Sequence, residues 1–373
     1  MSNQEILETD EKLQHHWMLD QFSSHTLAEQ LNDEERRTVQ HASETLSFNA
    51  TVNRDFNRAL LGQVITNNTA KKIAIVGPCS FDEETDPADI IDLVGNLQDR
   101  HPNTLVAARI NGAKPRTKGG WTGLWSGSQT SRQILFDAIR NVAEHNIPVV
   151  TEVTEPMQFG ALAPMISGFW LGARDVTSTA LRKMASATLM PVGLKNGTDG
   201  KPDTLEHAIN AIGLATPDTN SGVDLGTVAS GPFHRGVATG VLPVSEGNTT
   251  LGIIARGHEI VGSVTPEERR EQTLGHLGSL CSVAVAKDIG VLIDGSHDVP
   301  PMLQISRTEP DRFPRVMELL LEDVENGNVE NSHAIQGVMC EIGPHTGRTD
   351  PNWIINNASL NRLSEILSRV EEL

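Results

Sequence analysis

Three cysteines, Cys79, Cys281 and Cys340, stand far apart in 373 residues, odd in number and without a Cys-x-x-Cys pair. That spacing is not a disulfide framework, so a thiol is free for other work. Cys79 sits in Gly77-Pro78-Cys79-Ser80, just after the apolar run Ile73 to Val76. Other reactive residues follow other short apolar runs in the same way. Arg109 follows Leu105 to Ala108, with Lys114-Pro115-Arg116-Thr117 beyond it; Glu152 follows Pro148 to Thr151, and Gly172-Ala173-Arg174 follows Phe169 to Leu171. Lys195 closes Pro191 to Leu194, and Arg256-Gly257-His258 follows Gly252 to Ala255. Asp294-Gly295-Ser296-His297 follows Val291 to Ile293, and Cys340-Glu341 follows Gln336 to Met339.

Two chemistries separate within this set. Cys79, His297, Glu341 and, in the loop after the last run, Asp350 offer a thiolate, an imidazole and two carboxylates, a mixed S/N/O set for a divalent metal of borderline softness. Each taken alone has a plainer reading: a buried apolar thiol, a hydrogen-bonded core histidine, solvated acids. Their shared position after apolar runs favours the metal. The second subset is cationic: Arg109, Lys114, Arg116, Arg174, Lys195 and Arg256. Guanidinium forks and ammonium groups concentrated at one place suit a small anion carrying two phosphates, or a phosphate and a carboxylate. Lys118 and Arg132 read as ordinary surface charges, whereas Lys195 ends an apolar run and precedes a Gly-Thr-Asp-Gly turn.

Eight apolar runs separated by longer amphipathic stretches predict alternating strands and helices around a parallel sheet. Eight is the number that closes a (β/α)₈ barrel, the TIM-barrel architecture, and barrel enzymes build their sites at the C-terminal ends of the strands. A doubly wound open sheet is the competing arrangement. Residues 1–70, with helical spacing at Leu27, Leu31, Val39, Phe56, Leu60 and Leu61, predict an N-terminal helical extension serving as an interface or a regulatory element; residues 71–373 predict the catalytic barrel. Within Val223 to Glu246, the patches Thr227 to Ala229 and Val241 to Val244 lie too close together for a βα unit. They predict an inserted β-hairpin before the sixth strand.

Composition narrows the function. Thirty basic against 48 acidic side chains leave a net charge of −18, which argues against a nucleic-acid partner. No apolar stretch reaches the roughly 18 residues of a bilayer span, and the acidic start is unlike a signal peptide, so a cytoplasmic protein without a membrane partner is expected. His-x-His, Gly-Lys-Ser and G-x-S-x-G motifs are absent.

Several of these motifs together, in order from about residue 30 to the C terminus, resemble the class I (microbial) 3-deoxy-D-arabino-heptulosonate 7-phosphate (DAHP) synthases. They are Gly77-Pro78-Cys79-Ser80, Lys114-Pro115-Arg116-Thr117, Gly172-Ala173-Arg174, Pro191 through Gly200, Ser296-His297 and Gly337-Val338-Met339-Cys340-Glu341. The resemblance implies a metal-dependent condensation of phosphoenolpyruvate with erythrose 4-phosphate, opening the shikimate route to aromatic amino acids, in a homodimer or homotetramer. It implies Cys79, His297, Glu341 and Asp350 as metal ligands, for Mn²⁺ first, with Fe²⁺, Co²⁺ or Zn²⁺ as alternatives. It implies that Arg109, Arg174, Lys195 and Arg256 hold phosphoenolpyruvate with Glu152 near its reacting end. Arg116 and Thr117 would face the aldose phosphate, and Lys114, reaching both substrates, would donate a proton to the new hydroxyl.

The departures from that family cluster elsewhere. Ile110-Asn111-Gly112-Ala113 replaces a stretch with an aromatic and an acid, Trp125-Ser126-Gly127-Ser128 is shortened, and Arg174 is followed by Asp175-Val176. Gly257-His258, Asp298-Val299 and Ile342-Gly343-Pro344 also differ. The metal and phosphoenolpyruvate groups are spared. A sibling transferase using another aldehyde therefore stands beside the synthase reading, with a non-catalytic ligand-binding paralogue and a barrel metal hydrolase as further alternatives.

Overall fold

The structure is a computed structural model that describes residues 46–66, 69–114, 121–188, 190–197, 199–213, 250–257, 265–297, 312–343 and 353–373. The predicted hairpin patches, Thr227 to Ala229 and Val241 to Val244, and the predicted site residues Arg116, Thr117 and Asp350 lie outside the described residues.

Eight parallel strands alternate with helices: β1 (Lys72–Gly77), β2 (Thr104–Arg109), β3 (Val149–Val153), β4 (Gly168–Leu171), β5 (Val192–Lys195), β6 (Leu251–Ala255), β7 (Val291–Asp294) and β8 (Ile335–Gly343). Each pairs with the next, and β1 also pairs with β8, so the sheet closes into a (β/α)₈ barrel and the open-sheet alternative falls away. A two-residue β9 (Trp353–Ile354) adds to the end of β8, pairing Ile342 with Trp353. All eight predicted runs are strands. The helices are α1 (Phe48–Ile65), α2 (Pro87–Arg100), α3 (Gln129–Glu144), α4 (Pro156–Leu162), α5 (Thr179–Ala187), α6 (Pro202–Gly213), α7 (Pro266–Lys287), α8 (Arg312–Glu325) and α9 (Asn357–Glu371).

Strand side chains alternate between the barrel interior and the layer beneath the helices. Ile73, Ile75, Leu105, Ala107, Val150, Trp170, Ile254, Leu292 and Met339 form one buried cluster inside the barrel. Their strand neighbours Ala74, Val76, Val106, Ala108, Ile253, Ile293, Val338 and Cys340 belong to a separate, larger cluster with the helix faces. The interior cluster also takes Leu61, Val64 and Ile65 of α1. Gly290, preceding β7, donates its N–H to the Ile65 carbonyl at 2.7 Å, and a Cβ at Gly168, at the start of β4, would come within 2.7 Å of Leu61. These partners are strand beginnings. The helix thus closes the N-terminal end of the barrel as an apolar floor, and the polar mouth is left at the other end.

Two devices hold α1 there. Ser47 caps it, accepting from the Ala50 N–H at 3.2 Å, and its own hydroxyl donates to Glu144 at the end of α3 at 2.6 Å. Arg58 donates through Nε to the Ile166 carbonyl at 2.9 Å and through its second amine to the Ala163 carbonyl, so a buried charge is spent on backbone acceptors before β4.

Candidate active site

Counting two residues on from each interior apolar side chain gives the lining of the mouth: Ile75 leads to Gly77 and Cys79, Ala107 to Arg109 and Asn111, Val150 to Glu152, and Trp170 to Gly172 and Arg174. Ile254 leads to Arg256, Leu292 to Asp294, and Met339 to Glu341, while Lys195 lies two on from Gly193, whose Cα faces Ile254 and Trp170 of the same interior. The same alternation sends Cys340 outward, into the layer under the helices. Burial pushes its thiol well above the usual range, as burial pushes that of Cys281 up to about 12. Only Cys79 of the three faces the mouth.

Arg109 is the inner anchor. It is fully buried, its guanidinium donates to Oε1 of Glu341 at 2.8 Å and to the Pro78 carbonyl, and it lies 5.3 Å from the Trp170 ring centroid. Its Nε–H is buried and finds no partner among the described residues, leaving a donor for a bound anion. Room for this arginine comes from Gly77, whose φ of +156° and close approach to the Arg109 backbone, with a Cβ only 3.0 Å from that of Arg109, exclude any larger residue.

Asp294 ties two elements together. It is wholly buried, accepts from Nζ of Lys195 at 2.7 Å, from the Ser296 N–H at 3.1 Å, and faces Nδ1 of His297 at 2.8 Å. Burial alone would raise its pKa, but His297 and Lys195 hold it well below the usual carboxylate range. An ionised carboxylate only accepts, so Nδ1 of His297 is the donor toward Asp294, and Nε2 is turned to Oε1 of Glu341, 3.2 Å away. Glu341 is itself ionised: burial raises it, yet His297 and Arg109 bring it down to about 2.

Cys79 stands in the same group, its Sγ in contact with Nζ of Lys114. Burial and the Glu341 charge push the thiol up to about 11, so it is neutral at pH 7 unless a cation draws off the proton. Among the described residues no group of three or more His, Cys, Asp or Glu side chains is placed to hold a metal ion. In kind, however, the donors fit a borderline divalent ion: a thiol, an oriented imidazole nitrogen and an ionised carboxylate, with Asp294 fixing the imidazole tautomer behind them.

The structure therefore brings Cys79, Arg109, Lys114, Lys195, His297 and Glu341 into one connected cluster. Glu152 joins through Asn111, whose amide donates to its Oε2 at 3.3 Å. Arg174 is exposed at the rim, and the half-buried Arg256 is held through its backbone N–H, which donates to Oδ1 of the buried Asn196 at 2.7 Å. Four polar residues of the site, Asn111, Asp175, Asn196 and Asp294, carried no predicted role. For Asp294 a signal was present: it lies an even step from Leu292 and three residues before His297.

A closed parallel barrel with cationic side chains at its C-terminal mouth, and a thiol, imidazole and carboxylate among them, has the layout of a (β/α)₈-barrel enzyme. The family model described as the DAHP synthetase I family matches residues 45–371, and the chain belongs to that family. It is 29% identical over 315 residues to the tyrosine-inhibited phospho-2-dehydro-3-deoxyheptonate aldolase of Schizosaccharomyces pombe, covering 79% of this chain and 74% of the relative. It is 27% identical over 310 residues to the Tyr-sensitive enzyme of that name from Salmonella typhimurium, covering 78% and 76%. The solved structure of phospho-2-dehydro-3-deoxyheptonate aldolase from Francisella tularensis superposes with a TM-score of 0.64 at 20% identity, over 91% of this chain and 96% of that one, a likeness of fold.

Proposed function

We propose that the chain condenses phosphoenolpyruvate with erythrose 4-phosphate to DAHP and inorganic phosphate, the first step of the shikimate pathway, with a divalent metal. The observation that carries this reading is the convergence of Arg109, Lys114 and Lys195 with Cys79, His297 and Glu341 at one barrel mouth in a member of this family. Phosphoenolpyruvate carries a carboxylate and a phosphate, the anions that Arg109, Lys195, Arg174 and Arg256 suit. C3 of the enol attacks the aldehyde carbon, C2 becomes cationic, water adds there, and the C2–O bond to phosphate breaks. Holding both substrates in reacting geometry contributes on the order of 7–11 kcal/mol when alignment is good. Lys114 donates the proton to the new hydroxyl.

Cys79, His297 and Glu341, with Asp350 from the family resemblance, would hold the metal; when bound it supplies Lewis acidity at the aldehyde carbonyl. Mn²⁺ is the first choice among Mn²⁺, Fe²⁺, Co²⁺ and Zn²⁺. Chelation should abolish phosphate release and added Mn²⁺ restore it. Cys79→Ala should lose metal-dependent turnover, and an undiminished rate in that variant contradicts the ligand assignment.

A second reading, transfer to a different aldehyde, is favoured by the replacements at Ile110 to Ala113 and at Asp175. A panel of aldoses separates the two. We also propose residues 1–70 as an interface or regulatory extension to the 71–373 barrel, and a homodimer or homotetramer. Phe48, Val52 and Phe56 support this, forming an exposed apolar stripe at helical spacing on α1. A cytoplasmic location is supported by the acidic composition; among the described residues no helix is long and apolar enough to cross a membrane.

A further inference from the structure

We propose that Glu152 and Asp175, braced by Asn111, form a carboxylate pair that takes up the proton released when water adds at C2 of the substrate; this rests on the condensation read above. The two acids come from different strands. Glu152 is the inward residue after Val150 on β3, and Asp175 follows β4, where the turn folds it back: its N–H and that of Val176 both donate to the Gly172 carbonyl at 2.9 Å. Gly172 has no side chain, and both carboxylates occupy the space beside its Cα. A Cβ there would collide with Oε1 of Glu152 and lie 3.0 Å from Oδ2 of Asp175.

Asn111 supplies an independent sign that the place is built for a ligand. It is 3% exposed, and its Nδ2 donates to Oε2 of Glu152 at 3.3 Å. Its Oδ1 is buried with no donor among the described residues. A buried amide oxygen without a donor, next to a carboxylate, is the acceptor a water molecule needs to be held against that carboxylate.

Among the described residues the charged groups around the pair are few. Glu152 faces Asp175 from β3, Arg174 adjoins it in the same turn, and Arg109 of β2 is close enough to Glu152 to attract it. Burial first, then the Glu152 charge, push the Asp175 carboxyl up to about 6, with Arg174 opposing. Asp175 thus exchanges its proton at about pH 6. Asn111 and Asp175 are both among the positions at which this chain departs from the family it resembles.

The water oxygen bonds C2 as one of its O–H bonds breaks, and that proton passes to Glu152. Asp175, half-buried at the rim, receives it and returns it to solvent. One proton is taken up at the former aldehyde oxygen, and the proton left on the C2 hydroxyl departs with phosphate as the C2–O bond breaks. Glu152 is the catalytic residue; Asp175 acts through it as a positioning and relay residue.

The test uses the full-length protein, first by infrared titration of its carboxyl bands. A carboxyl titrating near pH 6 in the wild type should vanish in Asp175→Asn and move toward the ordinary range in Glu152→Gln. Next, kcat with phosphoenolpyruvate and erythrose 4-phosphate should rise through about pH 6 in the wild type. In Asp175→Asn kcat at pH 7 should fall about tenfold. The limb near pH 6 should disappear, KM for phosphoenolpyruvate should stay within about twofold, and Asp175→Glu should restore the limb. Absence of the titrating band, or the same pH profile in wild type and Asp175→Asn, overturns the proposal. A wild type with the band but without turnover contradicts the condensation and leaves the pairing of Asp175 with Glu152 standing.

Discussion

Asp294 accepts from Lys195 and faces His297 while wholly buried, so removing it leaves an ammonium group without a counter-charge in the barrel interior. Breaking such a pair costs about 3–5 kcal/mol, and Asp294→Ala should show a loss of that size in urea unfolding. Asp294→Asn keeps the volume and one acceptor but releases the His297 tautomer, and should lower metal affinity or turnover by about 10–100-fold. Asp175 acts on stability with the opposite sign. Its folded pKa of about 6 lies above the ordinary 3.8, so the unfolded chain sheds its proton first as pH rises. Native stability is therefore lost between roughly pH 4 and pH 6. Asp175→Asn should be more stable than the wild type at pH 7, by on the order of 1 kcal/mol after allowance for solvent screening of a half-exposed group, and equal to it at about pH 3. Paired urea titrations at the two pH values check this.

At the scale of elements, α1 and the strands divide the work between the two ends of the barrel. Leu61 of α1 is buried against strand beginnings, and Leu61→Ala should cost about 2–5 kcal/mol in urea unfolding while the folded fraction keeps its turnover, because the mouth is at the opposite end. The eight strands were legible because each is a short apolar run ended by a polar or glycine residue, and period-two alternation then sets which of those residues face inward. Alternation also explains why Cys340, adjacent to Glu341, takes no part. Two features were not legible. β9 is two residues long and carries no pattern. That one face of α1 serves as a floor depends on tertiary contacts of Leu61 and Ile65, which helical spacing alone does not reveal.

Over the whole molecule, the charge distribution is uneven: a chain of net charge −18 gathers Arg109, Lys114, Lys195, Arg174 and Arg256 at one mouth. Residue types and their place after each strand made the gathering of Cys79, His297, Glu341 and these cations at one barrel mouth legible. The groups that connect them were not, because Asp294, Asn111 and Asn196 act through hydrogen bonds between strands far apart in sequence. Family membership points to the condensation, and the replacements at Ile110 to Ala113 and at Asp175 are where this chain departs from the family it resembles. The most direct measurement is loss of phosphoenolpyruvate absorbance with release of phosphate, using erythrose 4-phosphate and Mn²⁺ beside a chelated control and other aldoses. Metal-dependent turnover with erythrose 4-phosphate is predicted. Turnover that survives chelation contradicts the metal-dependent condensation, and turnover only with another aldose contradicts erythrose 4-phosphate as the acceptor.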